Sequence, residues 1–171
     1  MTKFTAPQLR RPFSWLSTLA ILLFFTLPSM AQDEFEKVDE FAKIKVHSAV
    51  AKDVKKLTAH MASDWMTEKQ KVRSIFIWIT HNVKYDVSAY FNNTKFYVDP
   101  DDILRRKRGV CSAYSSLFKA MCDEAGIECR EVFGYSRGYG FRKGKVRENL
   151  HAWNSVKIDG EWYLFDATWA A

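Results

Sequence analysis

The sequence predicts an α+β fold in which helices come first and an antiparallel meander of strands follows. Apolar residues recur at three- and four-residue steps through the first two thirds of the chain. After Gly126 the apolar runs are short, partly β-branched or aromatic, and punctuated by an Asp159-Gly160 turn. With 171 residues there is room for one domain and not comfortably for two. Helices and strands grouped in separate runs segregate into α+β, unlike the alternation that builds a parallel sheet.

Residues 1–31 stand apart from that domain. Lys3, Arg10 and Arg11 make a basic start without an acid, Leu16 to Leu27 is an apolar run, and Pro28-Ser29-Met30-Ala31 offers the small residues a signal peptidase inspects. A leader cleaved after Ala31 is expected, and with it export to the periplasm, cell envelope or medium. The run is too short for the ~20 residues of a membrane span, so no stable span is expected once the leader is gone. Arg10-Arg11-Pro12-Phe13 is a partial twin-arginine pattern, but the remainder fits general secretion better.

From Asp33 to Ala62 the steps Phe35, Val38, Ala42, Val46, Ala49, Val50 and Val54 predict a helical extension, so residues 32–64 precede a domain over 65–171. Thr67 with Gln70 forms a capping box opening a helix whose apolar face is Val72, Ile75, Phe76, Ile79 and Val83. A loop follows at Asn92-Asn93-Thr94. Asp99 capping Pro100 opens a short helix through Arg108, stopped by Gly109. Cys111 starts the next helix, with Leu117, Phe118, Met121 and Cys122 as its buried stripe and Gly126 as its stop. Glu128 to Gly134 reads as a strand, and Gly134 to Gly144 as a loop with four glycines. His151 to Ile158 and Trp162 to Thr168 pair around Asp159-Gly160.

Cleavage of the leader removes three of 26 basic residues and none of 20 acidic ones, lowering the net charge from +6 to +3. That balance gives no reason to invoke nucleic acid. The cluster Arg105-Arg106-Lys107-Arg108 falls at a helix end, where cations suit the dipole. The cations between Arg137 and Arg147 fit a solvated loop first and an acidic substrate second. Three cysteines leave at least one thiol over, which argues against a disulfide scaffold. Cys122 and Cys129 read as small core residues, with a Cys122–Cys129 pair as the alternative.

The unpaired thiol of interest is Cys111. At a helix start, free N–H groups and the positive dipole end favour the thiolate and can receive an oxyanion. Among His47, His60, His81 and His151, only His151 meets an acid in a defined geometry. Pairing across Asp159-Gly160 sets opposed residues to sum to 319, so His151 faces Thr168, and Asp166 is its diagonal neighbour on the same side of the sheet. A carboxylate there fixes the imidazole tautomer, and the imidazole serves the thiol as base. A zinc site from Cys111, Cys122, Cys129 and His151 would lack any close C-x-x-C pair.

Arg108-Gly109-Val110-Cys111-Ser112-Ala113-Tyr114 resembles the nucleophile motif of the transglutaminase-like superfamily. His151-Ala152-Trp153-Asn154 and Phe165-Asp166-Ala167-Thr168-Trp169 resemble its histidine and aspartate motifs, and Ile75 to Asp86 resembles the helix preceding the core in its bacterial and kyphoscoliosis-peptidase-like branch. The resemblance covers roughly residues 65–169. It implies Cys111, His151 and Asp166 as nucleophile, base and orienting acid. It also implies a papain-like core with the cysteine helix packed on the sheet. The expected chemistry is acyl transfer through a thioester on a protein or peptide substrate, envelope peptides included, with hydrolysis favoured over crosslinking; a non-catalytic envelope binding module that keeps the fold is the other alternative. No cofactor is implied; calcium, used by animal crosslinking relatives, finds no acidic site in this sequence. Tyr114 and Trp153 are candidate cleft-lining residues, Trp153 with ordinary packing as its alternative. Trp78 and Tyr85-Asp86 are expected to brace the core. The resemblance further implies strands beyond the Asp-Ala-Thr-Trp motif, so a truncated C-terminus is expected.

Overall fold

A computed structural model describes residues 29–44, 46–92, 96–137, 142–144 and 150–171. Helices α1 (Ser29–Lys43), α2 (Val54–Met61) and α3 (Glu68–Asn82) come first. Strand β1 (Lys84–Tyr85), helices α4 (Val87–Asn92) and α5 (Pro100–Arg106), and strand β2 (Arg108–Gly109) lead to helix α6 (Cys111–Glu124). Strands β3 (Cys129–Tyr135), β4 (Leu150–Ile158) and β5 (Glu161–Phe165) complete the α+β domain. The basic start and apolar run of the expected leader lie outside the described residues. Among the described residues no helix is long and apolar enough to cross a membrane.

The single helical pattern from Asp33 to Ala62 is two helices. Asp53 takes an extended backbone and its carboxylate accepts the Lys56 N–H at 2.9 Å, starting α2 afresh. Before it, Val50 and Ala51 both donate to the His47 carbonyl, and Ala51 is buried. Asp39 on α1 holds the Arg73 guanidinium of α3 through two bonds of 2.7 Å. The Arg73 hydrogen bond lowers the Asp39 pKa, and the same pair raises that of Arg73. Thr67 and Gln70 form the expected reciprocal capping box at the start of α3.

Helix α5 ends earlier than its sequence suggests. Lys107 takes the left-handed conformation, and Arg108–Gly109 pair in parallel with β1. The Lys84 and Asp86 N–H groups donate to the Lys107 and Gly109 carbonyls at 3.0 and 2.9 Å, bonds that a further helical turn would forfeit. Gly109 is there for clearance, since a Cβ would overlap the Cβ of Ala113 in the first turn of α6. The segment Val87–Asn92, which lacks any periodic signal, is the short helix α4, with Asp86 Oδ1 accepting the Ala89 N–H at 3.0 Å.

Helix α6 is the centre of the core. Leu117, Phe118, Met121 and Cys122 are fully buried, each apolar side chain of this size contributing ~1.5–3 kcal/mol. The helix packs between α2 and α3 on one side and β3 and β4 on the other. Ala152, Asn154, Val156 and Ile158 alternate inward along β4. Asn154 donates to the Ser115 carbonyl at 3.0 Å, and the Ser115 hydroxyl donates to Glu131 at 2.9 Å, tying helix to sheet. The sheet runs β3-β4-β5, antiparallel, with Asp159 and Gly160 both at positive φ in the hairpin turn. Pairing stops at Asn154↔Phe165, so Asp166 and Thr168 lie beyond the strand. Phe165 is held by Phe76 and Phe118, at ring centroid distances of 5.7 and 5.6 Å.

Candidate active site

The N-terminus of α6 is left open. Its cap residue, Val110, makes no side-chain hydrogen bond, so the Cys111 and Ser112 N–H groups remain for another anion, while the Ala113 N–H donates to the Val110 carbonyl at 2.9 Å. Cys111 is the first residue of that turn and is half-buried. Three contacts fix its position: the β1–β2 pairing just before it, the close approach of Gly109 to Ala113, and a 2.7 Å hydrogen bond from the Tyr114 hydroxyl to the Val83 carbonyl. Tyr114 is thus a buried brace between α3 and α6, 1 % exposed, and not a cleft-lining residue. A tyrosine can reach a carbonyl there because β1 brings the end of α3 alongside.

His151 lies near the start of β4, 9 % exposed. Its Nε2 is 2.7 Å from Asp166 Oδ2, and its side chain also interacts with the Cys111 thiol, for which Nδ1 is the remaining nitrogen. Asp166 meets the ring from a turn and not from a cross-strand diagonal. Its second oxygen accepts the Thr168 and Trp169 N–H groups, each at 3.1 Å. The imidazole is stacked against two indoles. Trp153 lies at 5.8 Å, with its ring over Gly134, and Trp169 at 5.0 Å and 20°. Trp153 therefore both shields the ring and packs across the sheet.

Burial is the largest single influence on Cys111 and pushes its pKa up. The His151 hydrogen bond, the Ala152 N–H, the charge of the imidazole and the Ser112 N–H outweigh burial, and the net shift is downward. Burial likewise opposes charge on His151, but the Asp166 and Cys111 hydrogen bonds and charges prevail and push its pKa up to about 9. The two shifts favour a thiolate beside an imidazolium. Tyr85, at the wall of the same cleft, is pushed up to about 12 by burial first and then by Cys111 and Tyr90, so it stays neutral.

Cys111 opens into a cleft of about 480 Å³ lined also by Tyr85, Val87, Tyr90, Phe91, Leu150 and Trp169. The sequence signal for this wall was weak: a six-residue helix has no period to read, and Trp169 was visible only as a motif member. Trp78 is buried as a core brace, and Tyr85 both packs against the core and lines the cleft. Of the expected Gly134–Gly144 loop, Ser136 lines the cleft, and residues 138–141 lie outside the described residues.

The family model for the transglutaminase-like superfamily matches residues 55–167. Kyphoscoliosis peptidase of Homo sapiens is 37% identical over 151 residues, which are 85% of this chain and 22% of that protein. The chain spans about a fifth of the length of the curated relatives it matches. A candidate cysteine protease of Cytophaga hutchinsonii superposes with a TM-score of 0.54 at 25% identity, covering 77% of this chain and 42% of that one. The periplasmic domain of TgpA from Pseudomonas aeruginosa superposes with a TM-score of 0.55 at 18% identity, covering 79% and 48%, a likeness of fold.

Proposed function

Since the chain belongs to the transglutaminase-like superfamily, we propose that it is an exported thiol acyl-transfer enzyme hydrolysing peptide or other amide bonds. Cys111 is the nucleophile, His151 the general base and then acid, and Asp166 the group that holds the ring. The observation that carries this reading is the placement of one imidazole between a thiol at an open helix N-terminus and a carboxylate 2.7 Å from its far nitrogen.

The sulfur attacks the carbonyl carbon, and the first-turn N–H groups of α6, that of Cys111 first, stabilise the oxyanion. The imidazolium returns its proton to the leaving amine, leaving a thioester. Water then attacks with the imidazole as base, and the thiolate departs. Asp166 holds the tautomer that directs Nδ1 at the sulfur. The peptidase named at 37% identity supports hydrolysis over amine transfer. Export rests on the leader of residues 1–31; the N-terminus of the secreted protein is expected at Gln32.

The test is the pH dependence of Cys111 alkylation by iodoacetamide, with His151→Ala as control. Reactivity persisting well below the ~8.5 of a free thiol, and lost in the control, is expected. A titration like an ordinary thiol in both proteins overturns the pairing. Incorporation of a labelled amine into protein, in place of hydrolysis products, would reassign the second step to crosslinking.

A further inference from the structure

We propose that the cleft at Cys111 selects a peptide whose residue beside the attacked carbonyl carries a large apolar side chain, aromatic or branched, seated against Tyr90, Phe91, Leu150 and Trp169. This rests on Cys111 being the nucleophile and adds the substrate class.

The argument starts from exposed apolar surface, which is favourable only when something covers it. Val87, Tyr90, Phe91, Leu150 and Trp169 are 56, 41, 62, 71 and 60 % exposed, and all five line the cleft that holds Cys111. They come from three separate segments, α4, the start of β4 and the turn after β5, so a local run of hydrophobic sequence does not explain their meeting. The wall is braced before any substrate arrives. Tyr85 and Tyr90 are 6.2 Å apart, Tyr90 and Phe91 make an edge contact at 5.2 Å, and Asp86 caps the helix that carries them.

Among the described residues lining this cleft there is no Asp, Glu, Lys or Arg. A charged substrate side chain would lose its water against the Tyr90, Phe91, Leu150 and Trp169 wall and gain no ion-pair partner from it. The contrast lies just across the Tyr85–Phe91 segment, where a second cleft of about 500 Å³ is lined by Lys84, Arg106, Lys107 and Arg108. Basic side chains are thus plentiful near the nucleophile, but among the described residues none lines the apolar side of its own cleft. Whatever occupies the apolar side must also present a carbonyl to the Cys111 sulfur, which identifies the occupant as the substrate itself.

The test uses chloromethyl ketones bearing a Phe, Asp or Lys side chain beside the reactive carbon. The Cys111 sulfur forms a thioether and chloride leaves. Each rate, read by mass spectrometry at Cys111, is divided by that reagent's rate with glutathione. The Phe reagent is expected to react about tenfold to a hundredfold faster than the other two. Phe91→Arg, at an exposed position, should lower the Phe rate and raise the Asp rate, and Leu150→Ser should lower the Phe rate alone. Equal rates for the three reagents, with low-pH iodoacetamide reactivity of Cys111 retained, overturn the selectivity and leave the nucleophile standing. If iodoacetamide instead titrates an ordinary thiol, both readings fall together.

Discussion

Cys111 and Cys122 sit at the two ends of helix α6, eleven residues apart on one rigid element. At the first, open N–H groups and an imidazole meet the sulfur, and the thiol pKa falls although burial opposes it. At the second, a hydrogen bond with Cys129 and burial both push the thiol up, and the helix dipole presents its negative end. Cys129 in turn accepts a bond from Asn154 at 3.6 Å. The residue type is the same, so the difference is entirely environmental. One end of the helix is left unfinished and the other is sealed, which sets one of three thiols apart from the other two.

The comparison breaks most completely if the open end loses its partner. His151→Ala is expected to lower amide hydrolysis by roughly 10²–10⁴-fold, as loss of a general base does. The change should fall mainly on kcat. The next largest effect is on the scaffold that holds both ends apart. Leu117→Ala, in the fully buried stripe, should cost ~2–5 kcal/mol in urea denaturation, with the Cys111 pH profile retained in the folded fraction.

Asp166→Asn sharpens the comparison from the electrostatic side. The His151 pKa should drop from about 9 towards the ordinary ~6.5, measured by NMR titration of the imidazole. Because the folded value is raised, the stability His151 supplies is full below ~6.5 and is lost as pH rises through 9. The stability gap between wild type and Asp166→Asn should therefore close over that window. The smallest effect belongs to the sealed end. Cys122→Ala should cost ~1 kcal/mol, and in the native protein Cys122 and Cys129 should label only on unfolding while Cys111 labels at once.

Much of this was legible because it depends on short-range chemistry. The Thr67 box, the Asp99-Pro100 start and the Gly126 stop each need only neighbouring residues. The Asp159-Gly160 turn fixed a register in which Asn154 opposes Phe165, as the sum of 319 requires. The break before Asp53 was hidden because turn and helix present apolar residues at similar steps. Arg108–Gly109 read as helix because a two-residue parallel pairing with β1 leaves no periodic trace. Tyr114 looked like a cleft residue until the carbonyl of Val83, 31 positions away, turned out to hold its hydroxyl. The position of Asp166 beyond the strand depended on Phe165 being gripped by two distant rings. These are all long-range contacts, to which local pattern is blind.

Asp166 has one oxygen on His151 and the other on the backbone that follows it. A two-residue slip of β5 along β4 would keep every side chain on its proper face, so hydrophobic alternation alone could not detect the error. It would also carry Asp166 about 7 Å along the strand axis, out of reach of the imidazole. The carboxylate thus proofreads the hairpin: the register that lets the ring be held is the one that these bonds reward, and misaligned molecules forfeit them.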